Sequence, residues 1–266
     1  MKIIVCVKQV PDTSGKVAVN PDGTLNRASM AAITNPDDLN AVEAALVLKE
    51  QTGAEVVVVC MGPPPAEGML RECLARGCDR AVLVSGREFG GSDTYATSQI
   101  LAAAINKIGV DAEDIVMCGR QAIDGDTAQV GPQIAEKLGL PQVSYAADIQ
   151  KDGKTLTIKR MLEDGYMTIK VQTPCLLTCI KELNEPRYMS VGGIFEAYSK
   201  PMSVFDYEAL KNDPLIDPTT IGLKGSPTNI LTSFTPPQKG AGMMLEGADK
   251  DTCDKLAGIL AKKHII

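Results

Sequence analysis

The sequence contains no tryptophan, and aromatic residues account for only 4% of its 266 positions. Proteins that bind single-stranded nucleic acid stack bases on aromatic side chains, and this chain has few to offer. Its formal net charge of -6 would also repel a phosphate backbone. The composition therefore argues against nucleic acid as a partner.

Histidine is almost absent, since His264 is the only one and lies close to the C-terminus. Catalysis by a histidine base is therefore poorly supported. Cys175 and Cys179 are close enough in sequence to suggest a metal, but no second cysteine pair at zinc spacing accompanies them. We predict neither a catalytic side chain nor a metal site.

Long apolar runs are missing as well. None approaches the ~18 residues that a membrane-spanning helix needs, and the apolar part of Met1–Lys8 is too short for a secretion signal. Several of the eight cysteines lie within apolar runs, where a free thiol behaves as a small hydrophobic side chain. These features predict a cytoplasmic protein with reduced cysteines and no membrane span.

What the sequence does contain, from Lys2 to Leu138, is an alternation of apolar runs with helical patterns. Buried parallel strands read as continuous apolar runs, and strands that alternate with helices form a parallel sheet covered on both faces. We therefore predict an α/β fold with a doubly wound, Rossmann-like parallel sheet. The predicted strands are 2–8, 55–60, 81–85 and 115–118, and the predicted helices are 36–51, 66–76, 94–108 and 132–138.

The pattern changes after Pro141. Three alternating runs, separated by Asp-Gly turns, predict an antiparallel meander. A further apolar run, Cys175–Ile180, predicts a strand that returns to the sheet. The three runs of the meander are 146–150, 155–160 and 166–172.

The last part of the chain is rich in proline and poor in long apolar runs. A segment of this length without regular structure is unusual inside a compact domain. We therefore predict a nucleotide-binding α/β domain over 1–200 and, over 201–266, an extended arm that docks on another subunit. The arm ends in a predicted amphipathic helix at about 249–263. The alternative is that this helix packs on its own domain.

The loop Gly119–Pro132 joins the fourth predicted strand to the next helix. Phosphate groups bind at such turns, because the first turn of a helix has unpaired N–H groups and the positive end of the dipole. Gly119 and Gly125 permit close approach of a ligand, and Arg120 offers a positive charge. The loop matches neither G-x-G-x-x-G nor G-x-x-x-x-G-K-[ST], so its spacing alone does not separate a phosphate site from an ordinary turn.

Three other segments reach the same edge of the predicted sheet. One follows Cys6, one is Asn35–Asp38 at a helix start, and one is Met61–Gly62. Asn35 is predicted to cap this helix, and Pro36 suits its first position. Because ligands of parallel sheets bind beyond the carboxyl ends of the strands, this convergence favours nucleotide binding.

Three strings in the sequence together resemble the beta subunit of electron-transfer flavoproteins, and the similarity runs over essentially the whole chain. They are Val5–Asp12 (VCVKQVPD), Gly119–Asp124 (GRQAID) and Leu183–Tyr188 (LNEPRY). The resemblance implies a heterodimer with an alpha subunit. It also implies that this subunit binds a nucleotide at the segments reached above by topology.

The resemblance, together with the topology, gives a set of predicted site residues. Backbone N–H groups of residues 125–130 and Arg120 are expected to hold a diphosphate, with Asp93 and Thr94 near the flavin end. The segment that begins near Tyr188 matches the family's docking segment for a flavin dehydrogenase. The predicted docking residues are Pro186, Arg187, Tyr188 and Val191. The predicted cofactor-binding residues are Cys6, Val7, Lys8, Asn35, Pro36, Asp37, Asp38, Met61, Gly62, Asp93, Thr94, Gly119, Arg120, Gln121, Ala122, Ile123, Asp124, Gly125, Asp126, Thr127, Ala128, Gln129 and Val130.

The family has two types, one with structural AMP in the beta subunit and one with a second FAD that accepts hydride from NADH. Asp124–Pro132 departs from the D-D-D-x-N-Q-T-G loop of the first type and is similar to the second, as is the Gly-Gly loop Phe89–Thr94. We therefore predict FAD, with NADH as electron donor, in an electron-bifurcating protein of anaerobic metabolism. The implied partners are the alpha subunit, ferredoxin or flavodoxin, and a flavin dehydrogenase that acts on acyl-CoA or on a 2-hydroxy acid.

Two alternatives stay open at this point. One is an AMP-containing electron carrier without NADH chemistry. The other is a nucleotide-binding regulatory domain without a redox role.

Overall fold

The computed structural model of the chain describes residues 1–12, 32–228 and 240–266. Within these residues it forms a nine-stranded sheet of order β11-β5-β4-β1-β6-β10-β7-β8-β9, and a separate pair, β2-β3. The strands are β1 Lys2–Cys6, β2 Gln9–Pro11, β3 Ala32–Thr34, β4 Glu55–Met61, β5 Arg80–Val84, β6 Ile115–Gly119, β7 Gln142–Asp152, β8 Thr155–Met161, β9 Tyr166–Gln172, β10 Cys175–Cys179 and β11 Met202–Phe205. The helices are α1 Pro36–Thr52, α2 Glu67–Arg76, α3 Thr94–Ile108, α4 Val130–Leu138, α5 Val191–Glu196, α6 Tyr207–Leu210, α7 Gly222–Gly225 and α8 Lys250–Lys262.

The sheet is parallel from β11 to β7, and both of its faces are covered. All residues of β6 and β10 are buried, which explains why these strands read as continuous apolar runs. One hydrophobic cluster packs α1 and α2 against one face, and a second packs α3 and α4 against the other. The predicted α/β fold with a doubly wound parallel sheet is confirmed.

The order of the strands contains a reversal beside β1. The chain moves outward from β1 to β4 and β5, and then returns to place β6 on the other side of β1. The carboxyl ends of β1 and β6 therefore diverge into loops on opposite sides of a crevice, the usual ligand position in such sheets. Helix α1 begins at this edge, directly after β3.

The predicted meander is present in β7, β8 and β9, which pair antiparallel at the end of the sheet. Strand β7 also pairs parallel with β10, so the meander extends the main sheet. The sequence also predicts a short helix over 193–197, and α5 begins two residues earlier, at Val191.

Residues 201–228 differ from the predicted arm. Met202–Phe205 forms an edge strand parallel to β5, and Leu210, Ile216 and Ile221 are buried against the face of α3. A strand of four residues next to proline and aspartate shows too few alternations to be recognised in the sequence. The first compact unit, within the described residues, therefore covers 1–12 and 32–228 and includes the beginning of the predicted arm.

The second compact unit, as far as the structure describes it, consists of residues 240–266. Its helix α8 is capped by Asp249, whose side chain accepts a hydrogen bond from the N–H of Thr252. No residue of α8 is buried. Docking of this helix on another subunit remains a prediction. In the described parts of the chain, every helix is too short or too polar to cross a membrane.

Candidate functional site at the carboxyl edge of the sheet

Asp38, in the first turn of α1, joins the ends of two strands. Its Oδ2 accepts the N–H of Lys8 at 2.8 Å, and its Oδ1 accepts the N–H of Gly119 at 2.8 Å. The residue is 6% exposed. Burial raises the pKa of Asp38 to about 7, although the bonds from Lys8 and Gly119 act in the opposite direction. The start of α1 is thus fixed to the carboxyl ends of β1 and β6 by one buried carboxyl group.

Gly119 allows this close contact. A Cβ atom at this position would lie 2.5 Å from Oδ1 of Asp38 and 2.6 Å from the backbone carbon of Asp37. Because one of these atoms belongs to the main chain, any side chain would force α1 away from β6. The glycine predicted for ligand approach is therefore required by packing within the protein.

Asn35 connects α1 to the long loop that follows β6. Its Nδ2 donates to the carbonyl oxygen of Gln121 at 2.8 Å, and its Oδ1 accepts the N–H of Ile123 at 3.1 Å. Asn35 makes no side-chain cap for α1, so the predicted cap is wrong. The amide instead binds the loop through both its nitrogen and its oxygen and stabilises the shape of the loop.

Two ion pairs flank the same loop. Arg120 Nε lies 3.3 Å from Asp37 Oδ2, and Lys8 Nζ lies 2.7 Å from Asp124 Oδ1. The Arg120 pair is within ion-pair distance, but neither of its two atoms makes a hydrogen bond. Burial raises the pKa of Asp37 even though Arg120 opposes that shift. Each cation near the loop is thus held by an acidic residue of the chain.

The backbone N–H groups of residues 125–130 were predicted to bind a diphosphate, and only those of residues 127–130 are free to do so. The N–H groups of Gly125 and Asp126 donate to the carbonyl oxygen of Ala122, at 3.2 and 2.9 Å. Those of residues 127–130 find no acceptor among the described residues. Asp126 and Ala128 have positive φ angles of 50° and 51°. The backbone at these two residues is therefore in the left-handed conformation, which is common in the turns that form anion-binding concavities. An anion is the group that such donors at a helix start accommodate.

Thr94 brings the Gly-Gly loop to this edge, because its Oγ1 donates to Oε1 of Gln129 at 3.3 Å. Asp93 caps α3 by accepting the N–H of Ala96 at 3.0 Å, and its other oxygen accepts the N–H of Thr228 at 2.9 Å. Both carboxylate oxygens of Asp93 are thus engaged within the chain. Its predicted contact with the flavin end of a cofactor stays a prediction.

The remaining predicted residues lie at the same edge with different degrees of access. Cys6 and Val7 are buried, and the N–H of Val7 donates to Val59 at 2.8 Å. Gly62 follows Met61 at the end of β4 and donates its N–H to Val84 at 3.0 Å. Pro36, at the first position of α1, is exposed.

The predicted docking segment is attached to the middle of α1. Arg187 forms ion pairs with Glu43 at 2.9 Å and with Glu50 at 2.5 Å. Asn184 and Asn40 exchange hydrogen bonds of 2.7 to 3.0 Å. The hydrogen bonds with Glu43 and then Glu50 raise the pKa of Arg187. The segment is therefore held in place by polar contacts on one helix.

The apolar side chains of the docking segment point into solvent. Tyr188 is 93% exposed and Val191 is 74% exposed. Pro186 lines a cavity of about 430 Å³ together with Asp37 and Asn184. An exposed apolar cluster on a fixed support is typical of a protein-binding surface.

Sequence reasoning missed Glu43 and Glu50 of α1, and Ile194, Phe195 and Tyr198 of the docking segment. Glu43 had a signal, because it is an acidic residue between Val42 and Ala44 on the buried face of the helix. Phe195, 78% exposed, had none, since exposure of an aromatic residue cannot be read from a six-residue helix.

Comparisons with known proteins identify the class. A family model described as electron transfer flavoprotein domain matches residues 22–210. The chain is 67% identical over 267 residues to the acryloyl-CoA reductase electron transfer subunit gamma of Anaerotignum propionicum, and 53% identical over 269 residues to the caffeyl-CoA reductase-Etf complex subunit CarD of Acetobacterium woodii. It is 50% identical over 267 residues to the electron transfer flavoprotein subunit beta of Clostridium acetobutylicum. Each of these alignments covers 100% of both chains.

The chain therefore belongs to the electron transfer flavoprotein family. Within the family it is similar, over its whole length, to proteins named as beta subunits and as electron transfer subunits of CoA-ester reductases. The resemblance seen in the three strings is confirmed.

Proposed function

We propose that this chain is the beta subunit of a heterodimeric electron transfer flavoprotein and that it binds FAD at the carboxyl edge of its sheet. The unpaired N–H groups of residues 127–130 carry this proposal, because they form a donor set for a diphosphate at the start of α4. The side chain of Arg120 makes no hydrogen bond with the described residues, so its terminal nitrogens are available to the same diphosphate.

Space beyond the diphosphate favours FAD over AMP. A Cβ atom at Gly125 would meet no protein atom within 4 Å, so the space beside this residue is open. Ala128 is also a small residue, and Thr94 links the Gly-Gly loop to Gln129 on the other side. At Gly125 and Ala128 the loop therefore presents no bulky side chain that would obstruct a group larger than adenosine.

Bound FAD would accept hydride from NADH, and its two electrons would pass separately to the alpha-subunit FAD and to ferredoxin or flavodoxin. The chain contributes binding and orientation. Asp38 and Asn35 fix the loop, the N–H groups and Arg120 hold the diphosphate, and the α4 dipole favours its negative charge. No side chain is required to transfer a proton.

The terminal acceptor is a flavin dehydrogenase that acts on an acyl-CoA. Two relatives bear the names of acryloyl-CoA and caffeyl-CoA reductase complexes, which favours this acceptor over a 2-hydroxy-acid dehydrogenase. The exposed side chains of Tyr188, Val191 and Phe195 form the contact surface for it. Arg187 acts as a positioning residue for this surface.

Cofactor content tests the proposal. The chain is purified together with its alpha subunit, and the nucleotides released on denaturation are identified and counted per heterodimer. Two FAD molecules per heterodimer are expected. One FAD and one AMP would contradict FAD binding by this chain and favour the AMP-type carrier, whereas no nucleotide in a folded heterodimer would overturn the whole site.

A further inference from the structure

Helix α5 carries exposed side chains of the docking segment but has little burial of its own. All six of its residues are exposed or half-buried. A helix of this length is not stable by itself in water, because it has too few turns to offset the cost of nucleation. The contacts with α1, at Asn184 and Arg187, precede it in the chain. The conformation of α5 must therefore be imposed by another neighbouring element.

The last turn of α2 lies directly against α5. A Cβ atom at Gly193 would overlap the carbonyl oxygen of Ala75 and lie 3.2 Å from its carbonyl carbon. Because Ala75 contributes main-chain atoms here, a side chain at position 193 would force the two helices apart. Ser190 caps the start of α5 by accepting the N–H of Gly193 at 2.9 Å. Gly193 thus lets the docking helix rest on the backbone of α2.

Arg71 of α2 reaches the other end of α5. One terminal nitrogen of its guanidinium donates to the carbonyl oxygens of Ala197 and Lys200, at 2.9 and 3.3 Å. Its Nε and its other terminal nitrogen donate to Glu67, one turn earlier in α2, at 3.4 and 3.3 Å. The last carbonyl groups of a helix lack partners within the helix, and basic side chains can supply them. Arg71 therefore binds the chain at and just after the end of α5.

Lys200 makes the reverse contact. Its Nζ donates to the carbonyl oxygens of Leu74 and Cys78, at 2.9 and 2.8 Å, around the end of α2. Helix α2 thus binds the end of α5 through an arginine, and the chain after α5 binds the end of α2 through a lysine. Two cations at separate points fix the position of α5 along α2. We call this set of contacts the α2 clamp, formed by Arg71, Ala75, Gly193 and Lys200.

The α2 clamp presents aromatic side chains to solvent. Ala197 is buried, whereas its neighbour Tyr198 is 75% exposed. The guanidinium carbon of Arg71 lies 5.7 Å from the centre of the Tyr198 ring, within the range of a cation–π contact. Phe195 is exposed in the same short helix. Side chains that are ordered in advance lose less conformational entropy when a partner binds.

We propose that the α2 clamp positions the docking segment for its flavin dehydrogenase, with Arg71 and Lys200 as positioning residues and Tyr198 as a further contact residue. This inference rests on the proposed function, from which it takes the dehydrogenase as the partner. The clamp holds the segment in its binding conformation before the dehydrogenase arrives, so that binding does not have to supply the ordering free energy. Without the clamp the same apolar side chains are present, but the segment adopts the binding conformation for only part of the time.

A purely local role in the stability of α2 is the main alternative, because Arg71 also pairs with Glu67 of the same helix at 3.3 Å. The Glu67 side chain is 51% exposed, and such pairs between residues four apart contribute little to stability. Glu67→Gln removes the charge of this pair and leaves the bonds from Arg71 to Ala197 and Lys200 in place. It is therefore the matched control for Arg71→Met, which removes both.

The test uses heterodimers that carry the wild-type chain, Arg71→Met or Glu67→Gln, together with the flavin dehydrogenase purified from the same source. The dissociation constant is measured by titration calorimetry, and kcat is measured for electron transfer at saturating dehydrogenase. Hydrogen exchange at the amides of Ile194 and Ala197, which donate to carbonyl groups at the start of the segment, reports the conformation of α5 in the free heterodimer.

For Arg71→Met we expect about 10-fold weaker binding of the dehydrogenase, because a segment that is competent about a tenth of the time binds about ten times more weakly. We also expect faster exchange at both amides and an unchanged kcat. Glu67→Gln should match the wild type in all three measurements. Lys200→Met, which removes the other cation of the clamp, should behave as Arg71→Met and serves as the second variant if the first does not fold.

Three results would overturn the inference. One is an Arg71→Met heterodimer that binds the dehydrogenase as tightly as the wild type, and another is an equal loss of affinity in Glu67→Gln. The third is weaker binding of Arg71→Met with unchanged exchange at Ile194 and Ala197, which would make Arg71 a direct contact of the dehydrogenase. If the wild-type heterodimer itself failed to bind the dehydrogenase, the docking surface of the proposed function would fall, so the two failures are distinguishable.

Discussion

The carboxyl edge of the sheet and the docking segment are both attached to α1, but they expose different groups: polar N–H donors at the edge and apolar side chains at the docking segment. At the edge, buried side chains such as Asp38 and Asn35 shape a loop whose free groups are backbone N–H donors. At the docking segment, the partly exposed ion pair of Arg187 and Glu43 supports side chains that are apolar and exposed. The first arrangement suits a small anionic ligand, and the second suits the surface of another protein.

The contrast also shows how one helix serves both regions. Asn35 and Asp38 lie at its beginning, whereas Glu43 and Glu50 lie one or more turns further along the same helix. The two regions can therefore be disturbed separately by substitutions on α1 and its partners.

Gly119→Ala is expected to have the largest effect. Its Cβ would overlap the backbone of α1, so we expect a loss of ~3 kcal/mol in the free energy of unfolding, together with loss of the nucleotide. Gly125→Ala, whose Cβ meets nothing within 4 Å, is the control and should change stability by less than ~0.5 kcal/mol. Equal denaturant midpoints for the two variants would show that α1 does not approach β6 as described.

Arg187→Met should disturb the docking segment and spare the nucleotide. It leaves the carboxylate of Glu43, whose side chain is 10% exposed, without its partner. We expect a loss of ~2 kcal/mol in denaturant unfolding, less than for a fully buried pair because Arg187 is itself partly exposed. Glu50→Gln, at an exposed position, should cost less than ~1 kcal/mol. A change in nucleotide content with Arg187→Met would mean that the two regions are not separable.

Asp38→Asn tests the buried carboxyl group through its dependence on pH. The amide leaves one of the two backbone N–H groups without an acceptor, which should cost ~1–2 kcal/mol. Burial raises the folded-state pKa of Asp38 from 3.8 to about 7, so the folded state binds more protons than the unfolded state within this window. The wild type should therefore lose stability relative to Asp38→Asn as the pH rises from about 4 to about 7. A stability difference that grows over this range would contradict the assignment.

Phe195→Ser should leave stability almost unchanged, because the side chain is exposed. The expected effect lies in function, namely a lower rate of electron transfer from the heterodimer to its dehydrogenase, measured in steady-state assays. Val204→Ser, at an exposed position of the edge strand β11, is the control. Equal rates for the two variants would remove Phe195 from the docking surface.

The sequence was sufficient to predict the alternating strands and helices, because each parallel strand is a buried apolar run and each helix has a clear end, such as Gly53 after α1. It also placed the Gly119 loop at the carboxyl edge. It could not predict the edge strand β11, which has only four residues. The roles of Asn35 and Asp93 depend on partners 86 and 135 residues away, and no local pattern records such contacts.

Anaerobic addition of NADH to the purified heterodimer tests the central claim, that the loop of this chain holds a flavin for hydride transfer. For a heterodimer that contains two FAD molecules, we expect rapid loss of the flavin absorption. We also expect Gly125→Leu, which fills the open space beside the loop while leaving the fold intact, to reduce both the FAD content and this response. A flavin spectrum that NADH leaves unchanged, in a heterodimer with one FAD and one AMP, would contradict the account.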